Sequence, residues 1–351
     1  MLRLFHGFAL VSLGIAAACA SIPAPEERGG DPAVSVTARA ETKPVGTANA
    51  DAADDPAIWR DPVNPAKSLI VGTDKRAGLY VYDLAGKELS FLEAPGLNNV
   101  DLVTIEKVFP VVLASDRADL ETAHITVALL NPINAEMGVI ERIEVGPGEG
   151  YGICAGPVAQ DRSFSVFSAP KNGIIYETRL SEGEKGALEH VTKTLTTVPS
   201  QPEGCVVDPR TGTLYIGEEA AGIWAIDIET GDKSLIARTG TGMLVPDVEG
   251  LALAPEGETG GYLVASSQGD NAFAVYRLPD YAPLGRFRIA KGEFGSVEET
   301  DGIELDPGAL GPDFPGGVFI AQDGINEAGA QNFKLVRWDE ILAALELSAE
   351  P

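Results

Sequence analysis

The chain has 351 residues, with 52 Asp plus Glu against 26 Lys plus Arg and a formal net charge of −26. Repulsion of that size excludes nucleic acid and anionic membrane surfaces as partners. Aromatic residues make up only 7%, too few for a surface built on aromatic protein-docking anchors.

In chain order, Arg3 precedes a mainly apolar stretch from Leu4 to Ala18 with small residues at its end. It is too short to span a membrane and has the layout of a secretory signal. The protein is therefore expected to be exported: periplasmic, anchored to the outer membrane, or secreted. Ala18-Cys19-Ala20 reads as a small-x-small cleavage site, giving a signal over residues 1–20. Ala16-Ala17-Ala18-Cys19 reads as an imperfect lipoprotein box, giving a signal to residue 18 and a lipid anchor at Cys19. The Pro, Glu and Gly content from Ser21 to Pro32 predicts a flexible tether, so one folded domain is expected over 33–351, as a monomer without a transmembrane span.

Ala33 to Ala40 alternates like a strand, with Val34 and Val36 on one face. Six acidic or amide-bearing segments follow at intervals of roughly fifty residues, each leading into an apolar run. They are Asp54-Asp55-Pro56-Ala57-Ile58-Trp59, Asn98-Asn99-Val100-Asp101-Leu102, Gly150-Tyr151-Gly152-Ile153, Pro202-Glu203-Gly204-Cys205-Val206-Val207, Asp247-Val248-Glu249-Gly250-Leu251 and Asp301-Gly302-Ile303-Glu304-Leu305. After each comes a short run of β-branched and aromatic residues, such as Leu69-Ile70-Val71 or Tyr262-Leu263-Val264, then a polar turn and further alternating runs. The unit is a meander of about four strands, which predicts an all-β, six-bladed β-propeller. The Ala33–Ala40 strand is expected to close the ring on the last blade, since an open ring would expose two sheet edges. Asp339 to Leu347 alone has helix-like spacing.

Cys154 and Cys205 occupy nearly matching positions of successive inner strands. In an exported protein they are candidates for a disulfide between neighbouring blades; the alternative is two small buried hydrophobes.

In a propeller, the turn between second and third strands lies beside the start of the innermost strand. Those turns carry Asp74-Lys75-Arg76, Asp116-Arg117, Lys171-Asn172, Glu218-Glu219, Gln268-Gly269-Asp270-Asn271 and Gln322-Asp323. One rim should thus gather many carboxylates and a few cations. Taken singly each Asp is a turn cap; six together raise one another's pKa unless a cation joins them. Abundant oxygen ligands, with only His6, His124 and His190 and none of these in the acidic segments, favour Ca²⁺ over Zn²⁺, copper or Mg²⁺. Lys75, Arg76, Arg117 and Lys171 form an arc on three consecutive blades, suited to a ligand with several phosphates.

With these segments in place, the chain from about Ala50 to Trp338 resembles the β-propeller phytases, secreted calcium-dependent phosphatases acting on inositol hexakisphosphate. The matching stretches include Asp54-Asp55-Pro56-Ala57-Ile58-Trp59, Thr73-Asp74-Lys75, Asn98-Asn99-Val100-Asp101-Leu102, Leu214-Tyr215-Ile216-Gly217-Glu218-Glu219, Asp247-Val248-Glu249-Gly250-Leu251, Ser266-Ser267-Gln268-Gly269 and Ala321-Gln322-Asp323-Gly324. The resemblance implies several calcium ions, with Asp54, Glu203, Glu219, Asp247, Glu249, Gln268 and Asp301 as ligands of a catalytic cluster. It implies a structural calcium held by Asp55 near Val100. It further implies that Lys75, Arg76, Arg117, Tyr151 and Lys171 contact substrate phosphates at a cleavage site and an affinity site. The chain departs from the pattern at Asn172, where an acid often follows the lysine, and at Asp116, where an uncharged residue often precedes the arginine.

The implied reaction is hydrolysis of calcium phytate by metal-activated water, with Glu203, Asp54, Glu249, Asp301, Lys75 and Arg117 as the catalytic set. Two other classes remain. A calcium-dependent propeller lactonase would need one metal over an apolar pocket. A non-catalytic binding propeller would need aromatic anchors in its loops. Phosphate release from phytate, measured with and without calcium, separates the three.

Overall fold

The computed structural model describes residues 29–48, 51–327 and 329–347. The signal and most of the tether, 1–28, lie outside the described residues. Strands alternate with turns throughout and assemble into six sheets. Blade 1 is built from strands Ala53–Trp59, Leu69–Asp74, Gly78–Asp83 and Glu88–Glu93, and blade 2 from Leu97–Val103, Val111–Asp116, Thr122–Asn131 and Glu136–Pro147. Blade 3 has Gly152–Ala155, Phe164–Ala169, Ile174–Glu182 and Leu188–Thr197; blade 4 has Pro202–Asp208, Thr213–Glu218, Gly222–Asp227 and Lys233–Arg238. Blade 5 has Val248–Glu256, Gly260–Ser267, Ala272–Leu278 and Pro283–Ala290; blade 6 has Ile303–Asp306, Val318–Asp323 and Asn332–Arg337. Each is an antiparallel meander, and the first strand of each blade touches those of its two neighbours, closing a ring around an axis. The six-bladed β-propeller expected from the repeat is the fold observed.

The core is six wedges, one between each pair of adjacent blades. Successive residues of a strand point to opposite faces, so Ile70 enters the wedge with blade 6 while Val71 enters the wedge with blade 2. Both faces are buried, which is why these strands read as continuous apolar runs. The wedge between blades 5 and 6 is capped by the helix Trp338–Ala344, whose Trp338, Ile341 and Leu342 are buried there.

Ring closure differs from the expectation. Val34–Thr37 is a strand, but it pairs in parallel with Pro283–Ala290 as a fifth strand of blade 5. Two residues, Ala40–Glu41, supply the fourth strand of blade 6 by pairing with Leu335 and Lys334. The cause lies just upstream. Asp31 N–H donates to the Gly242 carbonyl (2.7 Å), Gly30 N–H donates to Asp270 Oδ2 (3.1 Å), and buried Arg286 donates to the Asp31 carbonyl (2.6 Å) and ion-pairs with Asp270 (2.5 Å). These contacts fasten the start of the described chain to blade 5, so the next strand adds there and only the following residues reach blade 6. Gly30 and Asp31, the end of the expected tether, are therefore held by hydrogen bonds.

Cys154 and Cys205 are joined in a disulfide, with Cα atoms 5.4 Å apart, linking the inner strands of blades 3 and 4. Among the described residues, no helix is long and apolar enough to cross a membrane.

Candidate active site

Four inner strands start with the same irregularity. Ala53 pairs with Asp74 but Pro56 with Gly72; Leu97 with Asp116 but Val100 with Ala114; Pro202 with Glu218 but Cys205 with Ile216; Val248 with Ser267 but Leu251 with Ala265. Three steps on one strand against two on its partner make a β-bulge, which re-aims the side chains it contains. The bulges hold Asp54-Asp55, Asn98-Asn99, Glu203-Gly204 and Glu249-Gly250. Asp54, Asn98, Glu203 and Glu249 are buried at the channel mouth, with Tyr151 and Asp301 completing the set in blades 3 and 6.

Glycine recurs one residue later because the next inner strand passes at contact distance. A Cβ on Gly152 would lie 2.0 Å from the Glu203 carbonyl oxygen, one on Gly204 1.9 Å from that of Glu249, and one on Gly302 2.1 Å from Asp55 Oδ1. Gly250 N–H donates to the Asp301 carbonyl (2.7 Å) and Gly302 N–H to that of Asp54 (3.0 Å), fixing one blade's strand against the next.

A second tier comes from the turns after the second strands, where five blades repeat one backbone bond. Lys75 N–H donates to the Ala52 carbonyl, Arg117 to Gly96, Lys171 to Glu149, Glu219 to Gln201 and Gln268 to Asp247, at 2.7 to 3.2 Å. The residue just before serves the turn in three blades. Asp74 accepts from Thr47 and Arg76 N–H, Asp116 from Ala118 N–H, Thr126 and Arg142, and Glu218 from Ser200 and Trp224. Asp74, Asp116 and Glu218 are thus taken up by neighbouring turns, connections and strands, and the five residues beside the inner strands are the ones that meet the mouth.

Charge around the mouth is polarised. Lys75 Nζ lies 2.8 Å from Asp54 Oδ1, 3.1 Å from Asp301 Oδ2 and 2.6 Å from Asp51 Oδ1. Burial disfavours its charge, but Asp54, Asp301 and Glu203 outweigh that and hold the amine far above its usual pKa. Arg117 Nε and Lys171 Nζ approach one oxygen, Glu149 Oε1, at 3.3 and 3.2 Å, and Lys171 also stands 4.4 Å over the Tyr151 ring. Opposite, Glu203, Glu219 and Glu249 each bring a carboxylate oxygen within 4.8 Å of the other two. Burial pushes Glu203 up against a hydrogen bond from Glu249, with repulsion from Asp54 adding to the rise; burial and then repulsion from Glu203 push Glu249 well up; and burial raises Glu219 to about 7 although Gln201 donates to it (2.5 Å). Asp301, which accepts from Gln268 Nε2 at 2.8 Å, is raised well above the usual range, also chiefly by burial. Tyr151 hydrogen-bonds to Glu203; burial and the surrounding carboxylates keep its phenol protonated. Asp247 stands near enough to Glu219 to raise it further.

Two further expected residues stand apart from this group of carboxylates. Arg76 is half exposed and reaches Asp51, the residue that also pairs with Lys75, its Nε 3.3 Å from the Asp51 carbonyl. Asp55 turns down into an axial cavity lined by all six inner strands, where its Oδ2 accepts the Val100 N–H at 3.0 Å. Asp101 and Glu304 line the same cavity, and burial raises them to about 6 and about 8. Asn98, Glu149, Asp51 and Gln201 meet the mouth without being among the expected site residues. Asn98 had a signal, since its repeat aligns it with Asp54; the others lie just before the repeated segments.

Several oxygen atoms fit a hard cation. The Glu203 and Glu249 carboxyl groups meet directly, and buried Glu249 Oε2 finds no hydrogen-bond donor among the described residues beyond that neighbouring carboxyl. Such a contact becomes favourable through a shared proton or a bound cation.

The sequence model of the family described as Phytase matches residues 6–350. The chain is 37% identical over 329 residues to the 3-phytase of Bacillus subtilis (strain 168), covering 87% of this chain and 84% of that protein. Two solved structures share the fold at 13% identity and a TM-score of 0.54. One is the PQQ-bound aldose sugar dehydrogenase of Streptomyces coelicolor (84% of this chain, 97% of that one) and the other regucalcin, a calcium-binding protein of Agrobacterium tumefaciens str. C58 (87% and 97%).

Proposed function

The chain belongs to the phytase family and hydrolyses the phosphomonoesters of phytate, and on that premise we propose that the reaction takes place at the polarised mouth, with calcium ions on its acidic side. One observation carries this reading: Glu203, Glu219 and Glu249 converge within 4.8 Å, facing Lys75, Arg117 and Lys171 across one rim. Asp54, Asp247, Gln268 and Asp301 complete the proposed ligand set, and Asp55 with Val100 the proposed structural site. Bound there, calcium would neutralise phosphoryl oxygens and lower the pKa of a coordinated water.

The protein's own groups do the rest. Lys75, kept protonated by Asp54 and Asp301, offers a fixed positive charge to the transferred phosphoryl group. Arg117 and Lys171 lie within reach of one shared oxygen, so adjacent phosphates of an inositol ring could each take a cation there. Tyr151 donates to Glu203 and holds its orientation. The preferred substrate is calcium phytate, since calcium offsets the repulsion between a bare polyanion and a chain of net charge −26. We further propose export, directed by the apolar stretch Leu4–Ala18, with the mature chain free or lipid-anchored at Cys19.

Glu203→Gln tests the site. Glu203 stands in a bulge at the mouth, so the fold should survive while phosphate release from phytate falls at least about a hundredfold. A folded variant with near-normal turnover would place the reaction elsewhere. Calcium titration of the chelated wild type should restore activity.

A further inference from the structure

The ring position that carries an acid in blades 1, 4, 5 and 6 carries an amide in blade 2, and its bonding gives that exception a role. Asn98 is fully buried. Its Oδ1 accepts from Arg117 Nη1 at 2.7 Å, while its Nδ2 stands 2.9 Å from Asp54 Oδ2 and 3.1 Å from Glu203 Oε1. Arg117 can only donate and the carboxylates, when ionised, can only accept, so this orientation of the amide is the one its neighbours require. We propose that Asn98 is a positioning residue for phytate hydrolysis: it holds the Arg117 guanidinium at the mouth through a neutral acceptor and leaves that cation's charge for substrate phosphate. This rests on the reading of the mouth as the reaction site.

Neutrality is the point of the choice. Aspartate has the same shape but would turn the two contacts to Asp54 and Glu203 into carboxylate–carboxylate contacts at about 3 Å and would pair with Arg117 as an ion. The guanidinium, which already shares Glu149 with Lys171, would then meet phosphate with a second carboxylate bound to it. Alanine would instead leave Arg117 without its partner on the ring side, with Glu149 pulling from the other.

A double-mutant cycle on the full-length chain with saturating calcium tests this. In the Arg117-containing protein, Asn98→Ala should lower kcat/KM for phytate about tenfold, and in the Arg117→Ala background less than about threefold, since the group it positions is gone. A purely structural effect would lower both backgrounds by the same factor and would overturn the proposal, as would an Asn98→Ala protein of normal kcat/KM. Asn98→Asp is the isosteric second variant should the alanine protein fail to fold. Its loss should be at least as large, and wild-type kcat/KM in it overturns the proposal equally. Glu203→Gln and Arg117→Ala report on the site itself: if both hydrolyse phytate normally the mouth reading fails, whereas impaired singles with an unaffected Asn98 variant remove only the role of Asn98.

Discussion

Replacing Gly204 by Ala should damage stability and activity together. The added Cβ would lie 1.9 Å from the Glu249 carbonyl oxygen and within 3.0 Å of Leu251 Cγ. Ordinary contact needs 3.4 Å or more, so the inner strands of blades 4 and 5 must part by roughly 1.5 Å, or the bulge must deform. Neither partner is the free end of a flexible side chain. Overpacking of this kind costs about 1–3 kcal/mol or more, and a domain of this size loses about 2–4 °C of Tm per kcal/mol. Glu203 precedes Gly204 and Glu249 carries the clashing oxygen, so two members of the acidic triplet move; a displacement near 1 Å is worth about a hundredfold in rate. Thermal melting and phytate hydrolysis would be measured beside Gly138→Ala, where nothing lies within 4 Å of the added Cβ and the change should stay within about 0.5 kcal/mol. If Gly204→Ala melts and turns over like Gly138→Ala, the close passage of neighbouring strands is not what demands glycine.

Three further outcomes are expected. In chelated protein, burial holds Asp101, Glu219 and Glu304 at about 6, about 7 and about 8, above the usual range near 4. The folded state then binds more protons than the unfolded one between about pH 4 and pH 8, so stability should fall as pH rises through that window and level off above it. Denaturant midpoints that are equal at pH 5 and pH 8 without calcium would contradict this, and calcium should raise the value at pH 8 most. Under denaturing, non-reducing conditions Cys154 and Cys205 should resist alkylation, and reduction should cost about 2–5 kcal/mol; ready labelling of both would remove the bond. Lys171→Ala should slow phytate hydrolysis several-fold more than hydrolysis of p-nitrophenyl phosphate, because only the former has neighbouring phosphates to reach Lys171 and Lys75 together. Equal losses on both substrates would discard the two-phosphate reading.

Much of this was legible because a propeller repeats its physics. Asp54, Glu203, Glu249 and Asp301 recur at one place in the unit, and a polar residue that opens a strand in every blade cannot be a local accident of one turn. Cys154 and Cys205 were legible for the same reason, as matching positions on neighbouring inner strands. The bulges were not, since register depends on what the partner strand offers, and a three-against-two pairing leaves no mark in one strand alone. Nor was the use of Asp116 by its own sheet, which depends on Thr126 and Arg142 on the third and fourth strands. Val34–Val36 announced a strand by alternation, but its partner is set by Asp270 and Arg286, far away in sequence. Ala40–Glu41, the pair that closes the ring, is too short to have any period.

That closure has a temporal side. Residues made first are used last: Val34 must wait for Phe287, and Ala40 for Leu335, before either has a partner. At about 5–20 residues per second on the ribosome the wait is tens of seconds. During it blades 1 to 4 can stack on one another while the leading segment stays unattached. The last step then joins the leading segment to the final two blades, so a chain cut short before Asn332 would keep most of its wedges and leave Ala40–Glu41 without a partner strand.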